Sequence, residues 1–175
     1  MPNGWISDEM RALVGRTFGS RRSSAPISLS DIRRWAIAIY YPEVPPRLFW
    51  DEGYAATTSH GGVVAPEEFN PFAWFTAEGP VVSPTWEGPI RDSGPESAFG
   101  VKGPDTTFIL NGGMEVSYGV RMRHGDVITS SETTLLDYQE RQSRLGLMLI
   151  TRTEETWTNQ SDQMVKVTRA IGIRY

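Results

Sequence analysis

The sequence contains no cysteine in 175 residues. This absence excludes disulfide bonds, thiolate metal ligands and a cysteine nucleophile, and it fits a reducing compartment. Only two histidines, His60 and His124, are present, and neither has nearby carboxylates at the spacing of a metal site. The glycine pairs serve turns and do not form a phosphate-binding loop. We therefore expect no metal and no other cofactor.

An excess of basic residues is also lacking. Lys and Arg number 17 against 21 Asp and Glu, a formal net charge of −4, which argues against a nucleic-acid partner. No stretch approaches the roughly 20 apolar residues of a membrane helix, and the first residues do not have the pattern of a secretory signal. We expect a cytoplasmic protein with no membrane partner, folded as a single domain over residues 1–175.

Three helix starts are marked by side chains that cap backbone N–H groups. Ser7 begins a short helix that runs to Leu13, and Ser28 with Asp31 resembles a capping box. Asp51 lies near the start of a helical turn. The second helix places four apolar side chains on one face: Ile32, Trp35, Ala36 and Ile39.

The middle of the chain is rich in aromatic residues and then in proline and glycine. Pro66–Phe75 is predicted to be a buried central helix, because proline suits a first helical position, although Pro71 would kink it. Residues from about 76 to 110 are predicted to form a long loop, and loops of this length often carry function.

The C-terminal third alternates apolar and polar residues, which is typical of strands with one buried face. The first strand includes Met114–Met122, with a turn at His124–Asp126 after it. Further strands are predicted at 127–138, 145–157 and 165–173. Short turns between them predict a four-stranded antiparallel meander. A turn role is favoured for His124.

Several segments resemble the MaoC-like and FAS1-like dehydratase N-terminal domains. Trp50–Ala55 and Gly61–Pro66 are similar to the segment that leads into the central helix of those domains. Asn111–Tyr118, continued by Arg123–Asp126, resembles their first long strand and the following turn, and Val14–Phe18 resembles their opening strand. The resemblance spans about 13–173. It implies an α+β hot-dog fold, in which an antiparallel sheet wraps around a central helix.

The resemblance also implies a function, namely reversible addition of water to an enoyl thioester of coenzyme A or of an acyl carrier protein. In active members an Asp and a His, separated by four residues, hold the water and move protons. In residues 40–50 of this chain there is no Asp, and Phe49 or Trp50 stands where the His is expected. The Ala-His-Gly step of the family reads Ala65-Pro66-Glu67 here.

Because many dehydratases of this family pair two hot-dog halves, of which one carries the Asp and His, this chain resembles the other half. It is then the acyl-thioester-binding subunit of an (R)-specific enoyl-CoA hydratase or 3-hydroxyacyl dehydratase. The resemblance implies a homodimer or a heterodimer with a catalytic hot-dog subunit. Trp50, Asn70 and Trp74 are the candidate substrate-binding residues, since ligand pockets are largely apolar with a few polar groups.

Two alternatives stay open. In the first, the chain is a self-sufficient dehydratase or cyclase with other catalytic residues, for which the candidates are His60, Glu43, Tyr41 and Glu67. Alternatively, it is a binding homodimer without enzymatic activity, whose cavity is filled by aromatic side chains. A loop role for His60 and a helix-start role for Glu67 compete with catalysis.

Overall fold

The computed structural model describes residues 4–72, 94–144 and 146–175. Its α-helices are α1 (Asp8–Arg11), α2 (Leu29–Tyr40) and α3 (Glu52–Ala56), and 3₁₀ helices lie at Arg47–Phe49 and Pro95–Phe99. None of the described helices is long and apolar enough to cross a membrane.

The three capping residues are confirmed. The Ser7 hydroxyl accepts a backbone N–H of α1, and the Asp51 carboxylate accepts one from α3. At α2 the capping box is complete, because Ser28 Oγ accepts the Asp31 N–H at 3.1 Å and the Asp31 carboxylate accepts the Ser28 N–H at 3.3 Å. These local contacts fix where the helices begin.

One face of α2 is buried, as predicted, except at its end. Ile32 and Ala36 are fully buried, and Trp35 packs edge-on against Phe69 with ring centroids 5.5 Å apart. Ile39 is 46% exposed, so its predicted burial is wrong. Ala36 is the last fully buried residue of α2, and Tyr40, one turn later, packs partly buried against the core.

Within the described residues, seven strands form one antiparallel sheet. Their bounds are β1 (Thr17–Phe18), β2 (Arg22–Ser23), β3 (Ile109–Tyr118), β4 (Thr129–Ser130), β5 (Thr133–Ser143), β6 (Gly146–Thr158) and β7 (Met164–Arg174). The long strands lie in the order β3, β7, β6, β5, and β1 continues the sheet beyond β5. The small strands β4 and β2 extend the sheet beside the end of β6.

The predicted four-stranded meander is therefore wrong in one respect. β5, β6 and β7 follow one another as neighbours, but β3 pairs with β7 and not with β5. The predicted strand at 127–138 is also divided in two between β4 and β5. There the Ser131 N–H donates to the Thr156 carbonyl at 2.8 Å, and the Ser131 hydroxyl accepts the Thr156 N–H at 3.0 Å. The turn at His124–Asp126 is confirmed.

β3 does not have the buried face that its alternating sequence predicts. Met114 is 61% exposed and Tyr118 is 38% exposed, whereas Met122, beyond the end of the strand, is buried. Among the described residues β3 pairs with β7 alone, so it forms an edge of the sheet and little packs over it. The alternation of apolar and polar residues therefore predicted the strand correctly, but not a buried face.

The predicted helix at 66–75 is wrong over its described part. Pro66–Phe72 forms turns, with one backbone bond from the Phe69 N–H to the Pro66 carbonyl at 3.0 Å. Pro71 has no N–H to donate, which opposes a regular helix here. The rest of that segment lies outside the described residues, as does most of the predicted loop at 76–110. The described part of that loop contains the 3₁₀ helix Pro95–Phe99.

The described core lies where α2 and the segment 63–72 meet the sheet. Val64 pairs with Arg123 in an isolated antiparallel bridge, which attaches the segment 63–72 to the residues after β3. Phe72 packs edge-on against Trp157 of β6, with centroids 5.0 Å apart. Phe69 and Ile128 are fully buried in the same cluster. The turns after Val64 thus contribute core side chains despite their lack of helix.

Candidate functional site

The segment between α2 and α3, where the family's acid/base pair is expected, has Phe49 and Trp50 at the place of the His. Phe49 is buried and its ring lies 5.9 Å from that of Tyr40. The Trp50 indole N–H donates to the Pro45 carbonyl at 2.9 Å. Tyr41 is 81% exposed, and Glu43 is also exposed. Both face solvent at the surface.

Asp51, the nearest carboxylate along the chain, is occupied by structural bonds. It accepts the Tyr54 N–H at 2.9 Å and the Arg47 guanidinium at 2.7 Å. The Tyr54 hydrogen bond and the Arg47 hydrogen bond hold the pKa of Asp51 below its usual range. Such a group stays ionised at neutral pH and is a poor general acid.

Trp50 lies beside a groove on the outer surface of α2. The groove has a volume of about 540 Å³ and is lined by Arg33, Ile37, Val44, Pro45 and Trp50. Ile37 and Val44 are 58% and 79% exposed, so the groove is an open apolar surface. Arg33 borders it and donates to the Trp50 carbonyl at 3.1 Å and to Glu52 at 3.0 Å.

His60 and Glu67 lie at another place, beside residues 119–123. The His60 carbonyl accepts a bond from Arg123 at 2.6 Å, and the Glu67 carboxylate pairs with Arg121 at 3.1 Å. A polar cavity of about 510 Å³ lies here, lined by His60, both arginines and side chains of the loop 159–163. The negative charge of Glu67 is therefore balanced by the positive charge of Arg121.

The remaining candidates have separate environments. Asn70 is half-buried and its side-chain oxygen accepts the Phe72 N–H at 2.9 Å, which stabilises the turn. Trp74 lies outside the described residues. The structure therefore places Tyr41, Glu43 and Trp50 in one surface segment and His60 with Glu67 in a second region.

A buried polar network that the sequence did not reveal lies at one face of the sheet. Glu96 and Arg174 form an ion pair and are 1% and 5% exposed, and the Tyr138 hydroxyl donates to Glu96 at 2.9 Å. Burial, followed by the bond to Glu96, raises the pKa of Tyr138. Gly94 and Gly103 border the pair so closely that a Cβ at either position would overlap Glu96.

This network borders a cleft with a volume of about 670 Å³. The sequence holds one signal for it. Arg174 follows Ala170 and Gly172 at intervals of two, so small side chains precede a charged one on the same face of β7. Small residues next to a buried charge indicate open space above the strand.

Comparison with known proteins assigns the family. A model of the FAS1-like dehydratase domain region matches residues 12–168. The chain belongs to this family. No curated protein sequence matches it.

Solved structures of MaoC-like proteins share the fold with this family member. A MaoC-like dehydratase from Rhodospirillum rubrum is 21% identical, with a TM-score of 0.55 over 93% of this chain and 92% of that one. The ChsH1-ChsH2 complex from Mycobacterium tuberculosis gives 16% identity and a TM-score of 0.65 over 90% and 83% of the two chains. The HadBC (3R-hydroxyacyl-ACP dehydratase) complex from Mycobacterium tuberculosis gives 14% identity and a TM-score of 0.59 over 96% of this chain and 98% of that one. The predicted hot-dog fold is confirmed.

No group of three or more His, Asp or Glu side chains among the described residues could hold a metal ion. The cleft beside the sheet and the groove at Trp50 both have apolar lining residues that could contact an apolar ligand or partner.

Proposed function

We propose that this chain is the acyl-thioester-binding subunit of an (R)-specific enoyl-CoA hydratase or 3-hydroxyacyl dehydratase, and that a second hot-dog chain supplies the Asp and His. The proposal depends on the segment 40–50, which contains neither Asp nor His. Phe49 is a core residue there, and the Trp50 indole is bonded to a backbone carbonyl. Neither side chain transfers protons near neutral pH.

The edge of β3 that has no partner strand among the described residues supports a partner chain. Its exposed apolar side chains and those that flank it are Phe108, Ile109, Leu110, Met114, Tyr118 and Val120. A long apolar edge strand with unpaired backbone groups favours pairing with another chain. Two of the similar structures are complexes of named pairs, ChsH1-ChsH2 and HadBC.

The acyl group is assigned to the apolar surfaces of this chain. The cleft of about 670 Å³ lies within the size range of ligand pockets, roughly 300–1,000 Å³. Trp50, Asn70 and Trp74 remain the proposed substrate contacts, and Trp74 lies outside the described residues. The proposed compartment is the cytoplasm.

Hydration of enoyl-CoA by the purified chain, alone and with a partner, tests this proposal. The partner is the product of a neighbouring gene that encodes a hot-dog protein with Asp and His four residues apart. We expect no turnover by the chain alone and turnover by the pair. A normal rate from the chain alone would overturn the proposal.

His60→Ala and Glu67→Ala separate the proposal from a self-sufficient enzyme. If the partner supplies the acid and base, each variant retains activity in the pair within a fewfold. Loss of all activity in His60→Ala, with the protein still folded and still bound to its partner, would favour catalysis by this chain itself.

A further inference from the structure

The cleft beside the sheet is lined by both apolar and polar residues. The apolar residues include Phe18, Pro95, Ala98, Ile109 and Leu110. Thr151 and Arg174 also line the cleft and are 6% and 5% exposed. An apolar ligand can therefore contact the apolar residues while a part of it reaches buried polar side chains.

Thr151 and Arg174 share one face of the sheet. Thr151 lies opposite Gly172 in the register of β6 and β7, and Gly172 is two residues from Arg174. Residues opposite each other, and residues two apart on one strand, point to the same side. The two side chains therefore approach the cleft from neighbouring positions on adjacent strands.

Each of these side chains has a buried polar atom without a partner among the described residues. These atoms are Thr151 Oγ1 and Arg174 Nη2. A buried donor without an acceptor carries a free-energy cost. An acceptor placed between the two donors by a ligand recovers that cost, and such recovery is a common source of ligand selectivity.

The charge balance selects the kind of acceptor. Arg174 is already neutralised by Glu96, whose other oxygen accepts the Tyr138 hydroxyl. A ligand carboxylate would add a second negative charge next to Glu96 at a buried site, which is strongly unfavourable. A neutral oxygen, such as that of a ketone, accepts both hydrogen bonds without adding charge.

We propose that the cleft binds an acyl chain that is apolar along most of its length and carries a neutral ketone oxygen, bonded by Thr151 and Arg174. The inference rests on the proposed function, since it specifies the acyl group of the thioester. It assigns to this subunit the selection of substrate and leaves the chemistry to its partner.

Calorimetric titration of the purified full-length chain tests the inference. The ligands are decanoyl-CoA, a series of keto-decanoyl-CoA isomers with the ketone at successive carbons beyond the third, and the decanedioyl monothioester of CoA. We expect one or more ketones to bind about tenfold more tightly than decanoyl-CoA, which corresponds to about 1.4 kcal/mol. The carboxylate should bind no more tightly than decanoyl-CoA.

Thr151→Val, which keeps the shape but removes the hydroxyl, should lower the preference for the ketone over decanoyl-CoA at least threefold. Thr153→Val is the matched control, because Thr153 lines the cleft two residues further along β6. It should keep the full ketone preference. Equal loss in both variants would contradict a specific role for Thr151.

Failure of the inference and failure of the proposed function give different results. If decanoyl-CoA binds but no ketone binds more tightly, the ketone site is refuted and the acyl-binding function stands. If none of the thioesters binds, the acyl-binding function itself is refuted. Tighter binding of the decanedioyl thioester would refute the charge argument and the ketone assignment with it.

Discussion

Replacement of Glu96 by Gln tests the most deeply buried charge pair of the described fold. The substitution keeps the size of the side chain but removes its charge, so the Arg174 guanidinium remains buried without a counter-ion. Removing one partner of a buried ion pair costs about 3–5 kcal/mol. This is a large part of the roughly 5–15 kcal/mol by which domains are stable. At about 2–4 °C per kcal/mol for this chain length, Tm should fall by about 6–20 °C.

Urea unfolding followed by tryptophan fluorescence measures this loss. Asp105→Asn is the control, because Asp105 is 95% exposed and lies 4.0 Å from Lys102, and it should not change the transition measurably. The double variant Glu96→Leu/Arg174→Met removes both charges together and should recover most of the lost stability. If Glu96→Gln lowers the free energy of unfolding by less than about 1 kcal/mol, the assumption that Glu96 and Arg174 form a buried ion pair shielded from water is refuted.

Three further predictions concern a cap, a titrating group and the sheet edge. Ser28→Ala removes the capping box of α2 and should lower the free energy of unfolding by about 1 kcal/mol, with an unchanged urea m-value. Burial and the hydrogen bond to Glu96 raise the pKa of Tyr138 above 10.0 in the folded protein. The stability that Tyr138 contributes is therefore fully present below pH 10 and is lost as the pH rises through the folded-state pKa. Tyr138→Phe should therefore flatten the fall in stability above pH 10, and an unchanged alkaline slope would contradict this. Met114→Lys should weaken association with the partner at least tenfold in analytical ultracentrifugation, because it places a charge on the exposed face of β3. Val14→Lys, also exposed but before β1 at the opposite edge of the sheet, should leave association unchanged.

The elements that sequence reasoning located correctly depend on nearby residues. Ser28 and Asp31 are three positions apart and satisfy each other, so the start of α2 can be recognised without knowing the rest of the fold. The hairpins from β5 to β7 are similarly local, because each strand pairs with the next one along the chain. The family resemblance added the hot-dog architecture, which no single local pattern specifies.

The features that were wrong or missed depend on distant contacts. The exposure of β3 follows from its position beside β7 at the sheet edge, and its alternating sequence is equally compatible with a buried position. The pairing of Glu96 with Arg174 joins a 3₁₀ helix to the last strand, and the small residues before Arg174 do not identify Glu96 as its partner. The catalytic role of Tyr41 and Glu43 stays a prediction.

The pairing of β3 with β7 has a consequence for the order of synthesis. All of β5 and β6 is translated between these strands, so β3 leaves the ribosome well before its neighbour exists. During that interval β5 and β6 can already close a hairpin, whereas β3 has neither edge paired and exposes apolar side chains. Nascent chains in this state are prone to aggregate. Slow translation of β5 and β6 therefore lengthens the period in which β3 needs protection by a chaperone.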